Sequence, residues 1–299
     1  QKELAGQTGS YSLCQDAHAW HNPLEALGIP TTYDASEVAA VSGQAIRALS
    51  RAEIEKLLGQ GLLLDAEAAK VLGELGYAAD IGVEVERIEP KDDFPLAAEE
   101  LTHPDFAGRP GRYVTMTLPD LFGGMRLAFL KRKPGAVAIS RVVDADCKEF
   151  MPYTTIFENG RGGRVAVMPI AMEPGRFLSM LCPARKEQLS ALLHWLARGR
   201  LPLEATARGG VYPLAFRRDF PGRSLVGAFN LSLDPWSGIS FDLCSGGREV
   251  AGVEMLEKDG SWKPSRQVEV KPGKAGRLCL EVSGGIAFDT PVVLDVRWR

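Results

Sequence analysis

The first part of the chain alternates short, continuously apolar runs with amphipathic segments. Val38–Val41 and Leu62–Leu64 are the clearest runs, and continuous apolar runs of this length are typical of buried strands. Between them, Ser50 precedes Glu53 by three residues, which is the spacing of a helix capping box. The helix predicted there has its apolar positions on one face: Ile54, Leu57 and Leu58. This order predicts a β-α-β unit.

A second helix is predicted directly after Leu64. Asp65 is expected at its N-terminal cap, its apolar residues share one stripe, and Gly76 is expected to end it. A further strand is predicted at Ile81–Val85. Buried strands that alternate with helices are typical of a parallel sheet covered on both faces, with right-handed crossovers. The pattern therefore predicts a doubly wound α/β domain.

Regular patterns weaken in the middle of the chain and return after it. Residues 86–112 are rich in Pro, Asp and Glu without a sustained period, which predicts loops. Strand patterns follow at Tyr113–Leu118, Met125–Leu130, Ala136–Val143 and Gly163–Met168. Pro183–Ala197 has leucines on one face and predicts a helix. Nearer the start, Leu24–Gly28 is expected to end a short helix and Ile29–Tyr33 to form a strand.

Beyond Leu201 the pattern changes to short strand candidates separated by turn-forming residues. These candidates are Val211–Phe216, Leu225–Leu231, Ile239–Leu243, Glu249–Leu256, Gln267–Val270, Leu278–Val282 and Val292–Trp298. Such alternation is typical of a β-sandwich. We therefore predict three regions: a linker or arm at 1–23, an α/β domain at 24–200 and a β-sandwich at 201–299.

Composition narrows the class of partner. The chain has 299 residues, of which 45% are hydrophobic and 24% charged, and its net charge is −3. Without an excess of basic residues to neutralise phosphates, nucleic acid is not an expected partner. The most apolar stretch, Leu118–Leu130, is interrupted by Pro119 and by charged residues, so no membrane span is expected.

The cysteines and the first residue add two further expectations. The five cysteines have no CxxC spacing, so we predict neither a disulfide scaffold nor a zinc site. No other metal site and no cofactor are predicted. The sequence begins at Gln1 without an initiator Met or a signal-peptide pattern, which predicts a piece of a longer or processed chain. The cellular compartment is left open.

The order of four segments resembles a known family. The segments are Val38–Val41 with the Ser50-x-x-Glu53 helix, Gly61–Asp65, Asn159–Met168 and Asn230–Pro235. Together they resemble the non-catalytic C-terminal half of large bacterial glycoside hydrolases. In β-galactosidase-like enzymes this half holds a class I glutamine-amidotransferase-like domain, called the trimerisation domain, and a trailing β-sandwich. The resemblance covers about Leu24–Arg299.

The resemblance implies a fold and a role. The fold would be a flavodoxin-like α/β domain followed by an immunoglobulin-like sandwich. The role would be assembly and scaffolding beside an upstream catalytic barrel, in a homo-oligomer whose ligand is a carbohydrate. Two departures concern catalysis: no cysteine lies in a Gly-x-Cys-x-Gly turn, and the Asn-Glu pair of such barrels is absent, since only Glu158-Asn159 occurs. Neither glutaminase nor glycosidase chemistry is therefore predicted for this chain.

An alternative is a stand-alone hydrolase or sugar-binding protein that uses a cleft at the carboxyl ends of the strands. Ser42 and Gln44 follow the first strand, where doubly wound sheets bind ligands. Asp65 and Glu158 are the nearest acidic candidates for the same cleft. Each also has a plain structural interpretation, as a turn, a helix cap or a solvated strand end.

Aromatic and histidine residues give two further hypotheses. Trp236 and Trp262, with Trp298 and Tyr212, could form a stacking platform for sugar rings, as in a carbohydrate-binding module, or could fill the sandwich core. Asp16, His18 and His21 could hold a metal ion, although nothing nearby completes a ligand set. The glycine-rich Glu158–Arg164 could bind an anion or form a hairpin turn, and we favour the hairpin.

Overall fold

The computed structural model describes residues 19–32, 36–90, 96–107, 110–115, 125–172, 180–208, 213–273 and 276–299. The chain divides into two compact units. The first unit comprises Gln1–Pro23 and Ser36–Arg198, and the second comprises Leu24–Ala35 and Gly199–Arg299. Most of the regular structure is β-strand, arranged in several sheets. None of the helices in the described ranges is long and apolar enough to cross a membrane.

The described chain begins with helix α1 (His21–Ala26), which contains the junction between the two units. The first unit continues with β1 (Val38–Val41), a 3₁₀ turn (Ala45–Ala48), α2 (Arg51–Leu58), β2 (Gly61–Leu64), α3 (Ala66–Glu74), α4 (Ala78–Ile81), β3 (Val83–Pro90), β4 (Ala98–Leu101), α5 (Pro104–Ala107), β5 (Arg112–Thr115), β6 (Arg126–Arg132), β7 (Val137–Ala138), β8 (Ser140–Val143), β9 (Glu149–Pro152), β10 (Thr155–Glu158), β11 (Arg164–Val167) and α6 (Pro183–Leu196).

The main sheet of the first unit has five strands in the order β1-β2-β11-β10-β7. The first three strands are parallel, whereas β10 and β7 are antiparallel to their neighbours. The predicted parallel arrangement therefore holds for three strands only. The strand predicted at Ile81–Val85 is displaced, because α4 ends at Ile81 and β3 pairs with β6 in a separate two-stranded ribbon.

Local sequence chemistry sets the helices of this unit. The hydroxyl of Ser50 accepts a bond from the Glu53 amide, and the Glu53 carboxylate accepts one from the Ser50 amide, so the predicted capping box starts α2. Asp65 caps α3 in the same way through the Ala68 amide. The apolar faces of both helices pack with Leu62, Leu64 and their β11 neighbours in one core.

The middle of the chain is more regular than its composition predicts. Residues 86–112 include most of β3, all of β4 and α5, where loops were expected. Strands β5, β4, β8 and β9 form a four-stranded antiparallel sheet. The amphipathic signal is weak there because β4 (Ala-Glu-Glu-Leu) buries Glu99, a charged residue.

A buried polar network connects α6 to this four-stranded sheet. Glu99 forms an ion pair with Arg185 of α6, and both side chains are almost fully buried. Gln188, one turn further along α6, donates from its side-chain amide to Glu99 Oε1 at 2.9 Å and accepts from Arg185. The charge of Glu99 is therefore compensated within the core of the first unit.

The second unit contains β12 (Leu203–Arg208), β13 (Pro213–Phe220), β14 (Arg223–Asn230), β15 (Trp236–Leu243), β16 (Val250–Leu256), β17 (Trp262–Lys263), β18 (Val268–Pro272), β19 (Leu278–Ile286) and β20 (Pro291–Trp298). They form two sheets, of order β12-β15-β19-β18 and β13-β14-β20-β16-β17. Residues of both sheets share one apolar core. Each predicted strand region of the sandwich is matched by a strand, and β12 and β17 are additional.

The N-terminal segment of the second unit differs from its prediction. The described part of Ile29–Tyr33, residues 29–32, is irregular rather than a strand. Gly28 accepts a backbone bond from Ala205 of β12 at 2.9 Å and has a φ of +80°. Its position is so close to β12 that an added Cβ would lie 2.4 Å from the Ala205 carbonyl oxygen. This segment therefore packs as part of the second unit.

Candidate functional site

The carboxyl ends of β1 and β2 meet at one edge of the main sheet. The two strands are parallel and Val41 lies opposite Leu64, so the residues that follow them are neighbours. Ser42 and Gln44 follow β1, and Asp65 follows β2. Of the predicted cleft residues, the structure brings these three together. We call this edge the strand-end cluster.

Asp65 is the centre of the strand-end cluster and is completely buried. Its Oδ1 accepts bonds from the backbone N–H groups of Gly43 at 3.0 Å and Ala68 at 2.8 Å. Its Oδ2 accepts a bond from the Met172 amide at 3.0 Å. Both carboxyl oxygens are thus engaged by the backbone, and Asp65 joins the end of β1, the start of α3 and the segment after β11.

The environment of Asp65 also changes its acidity. Burial raises the pKa of the Asp65 carboxyl to about 7, although its three backbone N–H partners favour the ionised form. A carboxyl group with a pKa near neutrality is a common feature of catalytic sites. Here the same group is a helix cap, and its oxygens point at amides rather than at solvent.

Gln44 belongs to a chain of polar side chains at the same edge. Its amide donates to Glu67 Oε2 at 3.3 Å, and its Oε1 accepts from Arg47 Nε at 2.7 Å. Glu67 is also ion-paired with Arg126 of β6. Sequence reasoning missed Glu67 and Arg126, because 59 residues separate them and no local pattern relates them. Ser42 itself is buried beneath this edge.

Glu158 lies at the opposite edge of the sheet. It ends β10, which runs antiparallel to β11, and pairs with Arg164, whose neighbour in β2 is Gly61 at the start of that strand. The carboxylate is exposed and ion-paired with Arg164 and Arg198, and the Arg164 guanidinium lowers the pKa of Glu158. The expected convergence of Glu158 with Ser42 is therefore wrong, because it did not allow for an antiparallel strand.

The tryptophans of the second unit do not share a platform. Trp236 is only 1% exposed, lies in the sandwich core and donates from its indole to Ser232 Oγ at 3.1 Å. Trp262 is exposed and lies on β17, which belongs to the other sheet. Trp298 is buried, and Tyr212 lies outside the described residues. A ring as buried as that of Trp236 offers no face to a sugar. The prediction that Trp236 belongs to a stacking platform is therefore wrong.

Two other sequence motifs acquire structural explanations. Glu158–Arg164 spans the β10–β11 hairpin, in which Asn159 Oδ1 accepts bonds from the amides of Arg161 and Gly163. In the N-terminal cluster, Asp16 and His18 lie outside the described residues, and Trp20 is buried with its indole bonded to the Val41 carbonyl. Within the described ranges, no group of three or more His, Cys, Asp or Glu could hold a metal ion.

The fold is similar to parts of two glycoside hydrolases of known structure. No family model and no curated protein matches the chain. Alpha-L-fucosidase isoenzyme 2 from Paenibacillus thiaminolyticus superposes with a TM-score of 0.62 at 11% identity, over 98% of this chain and 46% of that chain. A beta-galactosidase from Bacillus circulans sp. alkalophilus gives 0.50 at 13% identity, over 97% and 38%.

These likenesses concern the fold. The chain has a fold similar to part of these glycoside hydrolases, and it spans less than half the length of either.

Proposed function

We propose that this chain is an accessory, non-catalytic region of a carbohydrate-active, glycoside hydrolase-like protein, in which it serves assembly and scaffolding. The observation that supports this most directly is the superposition of 98% of the chain on 46% of an alpha-L-fucosidase. A region of that extent leaves more than half of such an enzyme for other domains. The catalytic domain would then be a separate part of the same protein.

The finer description of the fold belongs to the same proposal. The three parallel strands β1, β2 and β11, with α2 between β1 and β2 and α3 directly after β2, are consistent with an amidotransferase-like core. The two sheets of the second unit share a core, as in an immunoglobulin-like sandwich. This pairing of domains is the one that the family resemblance implies for a trimerisation domain and its trailing sandwich.

The chemistry of the candidate residues favours a structural role. Both oxygens of Asp65 accept backbone N–H groups, Glu158 is an exposed ion-paired residue at the other edge, and Trp236 is a core residue. A catalytic acid or base must reach a proton on its substrate. Asp65 is buried away from solvent, and Glu158 is held by Arg164 and Arg198, so the arrangement supports a structural role.

Exposed apolar residues in the second unit support a role in assembly. Leu233 is 88% exposed, and Leu231 and Phe288 are also exposed. They lie on two turns that Asn230 joins: its side-chain amide donates to the Asp234 and Ile286 carbonyls, and its backbone carbonyl accepts from the Asp289 amide. Grouped apolar residues of this kind are typical of protein interfaces.

The alternative function, a stand-alone hydrolase or sugar-binding protein at the strand-end cluster, is favoured by one observation. The pKa of Asp65, about 7, suits general acid–base work at neutral pH. That alternative requires Asp65 to give up at least one of its bonds to the amides of Gly43, Ala68 and Met172 for substrate, which would break a buried backbone contact. We therefore place it second.

Activity measurements distinguish the two functions. The chain alone and the longest product of its reading frame are each assayed with nitrophenyl β-galactoside and nitrophenyl α-L-fucoside. We expect hydrolysis by the longer product and none by the chain alone. Hydrolysis by the chain alone, abolished in Gln44→Ala, would support the alternative and contradict the proposal.

Assembly is tested in the same longer product. Leu233→Asp introduces a charge at a position that is 88% exposed, so folding should be unaffected while a homo-oligomer dissociates in sedimentation analysis. Val270→Asp, at another exposed apolar residue of the second unit, is the matched control. An unchanged mass for Leu233→Asp would contradict the assembly role of these turns.

A further inference from the structure

The first unit contains a surface groove of about 790 Å³ that is separate from the strand-end cluster. Its walls come from the 3₁₀ turn and α2 on one side, and from the end of α3, α4 and the β10–β11 hairpin on the other. We call it the arginine groove. Its lining residues include Arg47, Arg51, Leu75, Tyr77, Asp80 and Arg161. No sequence motif predicted it as a cavity, because its walls come from segments far apart in the chain.

One wall of the arginine groove is held by a fixed hydrogen-bond arrangement. Asn159 is buried, and its side-chain amide donates to the Leu58 carbonyl at 2.8 Å and the Asp80 carbonyl at 3.1 Å. Its Oδ1 accepts from the backbone amide of Arg161. The hairpin is thus tied to α2 and α4, and Arg161 is presented to the groove from a rigid turn.

Each arginine of the groove is paired with a carboxylate. Arg161 Nε donates to Asp80 at 2.8 Å, Arg51 pairs with Glu55 at 3.0 Å, and Arg47 pairs with Glu74. The lining itself has three arginines and one carboxylate, Asp80, while Glu55 and Glu74 offset the charges of Arg51 and Arg47 from outside the lining. The bond from Arg161 to Asp80 uses Nε alone, which leaves the two terminal nitrogens as donors.

Apolar surface completes the groove. Ile46 and Ile54 are buried at its base, Tyr77 is half-buried, and Leu75 is 44% exposed. Gln44 of the strand-end cluster accepts from Arg47 Nε at 2.7 Å and so orients a second wall residue. A cavity with an apolar base and a few convergent polar groups is the usual form of a small-molecule site.

We propose that the arginine groove binds a neutral sugar, with Arg161 and Asp80 contacting its hydroxyl groups and Tyr77 and Leu75 contacting its C–H face. A sugar hydroxyl both donates and accepts, so it can bond to the guanidinium and the carboxylate of one pair without adding charge. An anion would instead compete with Glu55, Glu74 and Asp80 for the same arginines. The choice of a sugar as ligand class rests on the proposed function.

Ligand-observed NMR on the chain tests this proposal. The probes are lactose and L-fucose, with inorganic phosphate as the anionic probe. We expect saturation transfer to at least one sugar, and an affinity about tenfold weaker in Arg161→Gln, since a hydrogen bond from a charged donor is lost. Leu75→Ala, at a position that is 44% exposed, should also weaken binding of the same sugar.

A matched control separates the groove from general effects of removing an arginine. Arg297 of the second unit is likewise exposed and ion-paired, with Glu254 at 2.6 Å, so Arg297→Gln should leave sugar affinity unchanged. No transfer to either sugar, binding of phosphate alone, or equal affinity in Arg161→Gln and the unmodified chain would overturn the proposal.

The experiments distinguish a failure of the groove proposal from a failure of the proposed accessory function. If neither sugar binds while the longer product hydrolyses glycosides, the groove proposal is wrong and the accessory role stands. If a sugar binds in the groove but the reading frame encodes no additional glycosidase domain, the groove proposal stands and the accessory role is wrong.

Discussion

Asp65 shows how one residue can serve structure in a position that sequence alone presents as a ligand site. It lies at the carboxyl end of a strand, where doubly wound sheets bind ligands. Its two oxygens instead bond to the amides of Gly43, Ala68 and Met172. Burial opposes ionisation while these bonds favour it, and the pKa near 7 shows that burial has the larger effect.

The first prediction concerns the pH dependence of stability. The folded pKa of Asp65, about 7, exceeds its ordinary value of 3.8, so folding favours the protonated form. Its contribution to stability is fully present below pH 3.8 and is lost as pH rises through 7. This amounts to about 4 kcal/mol on the scale of about 1.4 kcal/mol per pKa unit. Urea unfolding of wild type and Asp65→Asn should therefore show the variant gaining relative stability by up to that amount as pH rises.

Asp259→Asn is the control for that prediction. Asp259 is exposed, and its bonds to Ser261 lower the pKa of its carboxyl, so its contribution is lost only as pH falls. The stability difference between wild type and Asp259→Asn should stay constant from about pH 5 to pH 8. A difference between wild type and Asp65→Asn that also stays constant would contradict the account of Asp65.

Sequence distance explains which contacts of Asp65 could be predicted. Its bond to Ala68 spans three residues, and N-terminal capping has a recognisable local pattern. Its bonds to Gly43 and Met172 span 22 and 107 residues, and no local pattern encodes them. The meeting of Ser42, Gln44 and Asp65 at one strand end could therefore be predicted, whereas the distant partners of Asp65 could not.

At the scale of elements, the start of α2 is determined by residues that are close together in the sequence. Ser50 and Glu53 bond reciprocally to each other's amides, and this arrangement starts the helix. We predict that Ser50→Ala lowers the free energy of unfolding by about 1 kcal/mol. Ser50→Asp, which retains a capping oxygen, should cost much less in the same urea titration. Equal stability of Ser50→Ala and wild type would show that the capping box does not stabilise α2.

The attachment of α6 to the four-stranded sheet gives a stronger prediction. Arg185 and Glu99 form a buried ion pair, so removing one partner leaves a buried charge uncompensated. Arg185→Met should lower the free energy of unfolding by about 3–5 kcal/mol, measured by urea unfolding. The double variant Glu99→Leu and Arg185→Met should recover most of that loss, because it removes both charges. A loss in the double variant equal to the sum of the single losses would contradict this account.

Helices and strands were predicted correctly where the hydrophobic periodicity is strong. They were missed where pairing between distant segments determines the structure. The alternating strands of the second unit and the capped helices α2 and α3 follow from local pattern. Strands β4 and β10 were missed, and β4 buries a charged residue whose partner is 86 residues away. The antiparallel direction of β10 then removed Glu158 from the expected cleft.

At the scale of the whole molecule, the chain enters the second unit twice. Leu24–Ala35 belongs to that unit although Ser36–Arg198 follows it in the first. The contact of Gly28 with β12 carries this assignment, since its φ is +80° and its Cα faces the Ala205 carbonyl oxygen. Sequence pattern placed this segment with the α/β domain, because a short helix and a strand were predicted between Leu24 and Tyr33.

Gly28→Ala tests which unit the segment stabilises. A residue with a Cβ is strained at this φ, and the strain alone costs about 1–3 kcal/mol. Hydrogen exchange should therefore show faster exchange of the β12 amides, including Ala205, in the variant. The amides of β2 in the first unit serve as the internal control and should be unchanged. Faster exchange confined to β2 would contradict the division into these two units.

The central claim is that this chain acts beside a catalytic domain of the same protein. The most direct measurement is the sequence of the reading frame on both sides of the segment from Gln1 to Arg299. We predict a stretch of about 250 residues with the repeated β-α pattern of a barrel. A start codon directly before Gln1 together with a stop codon directly after Arg299 would contradict the claim, and the strand-end cluster would then be the first place to look for activity.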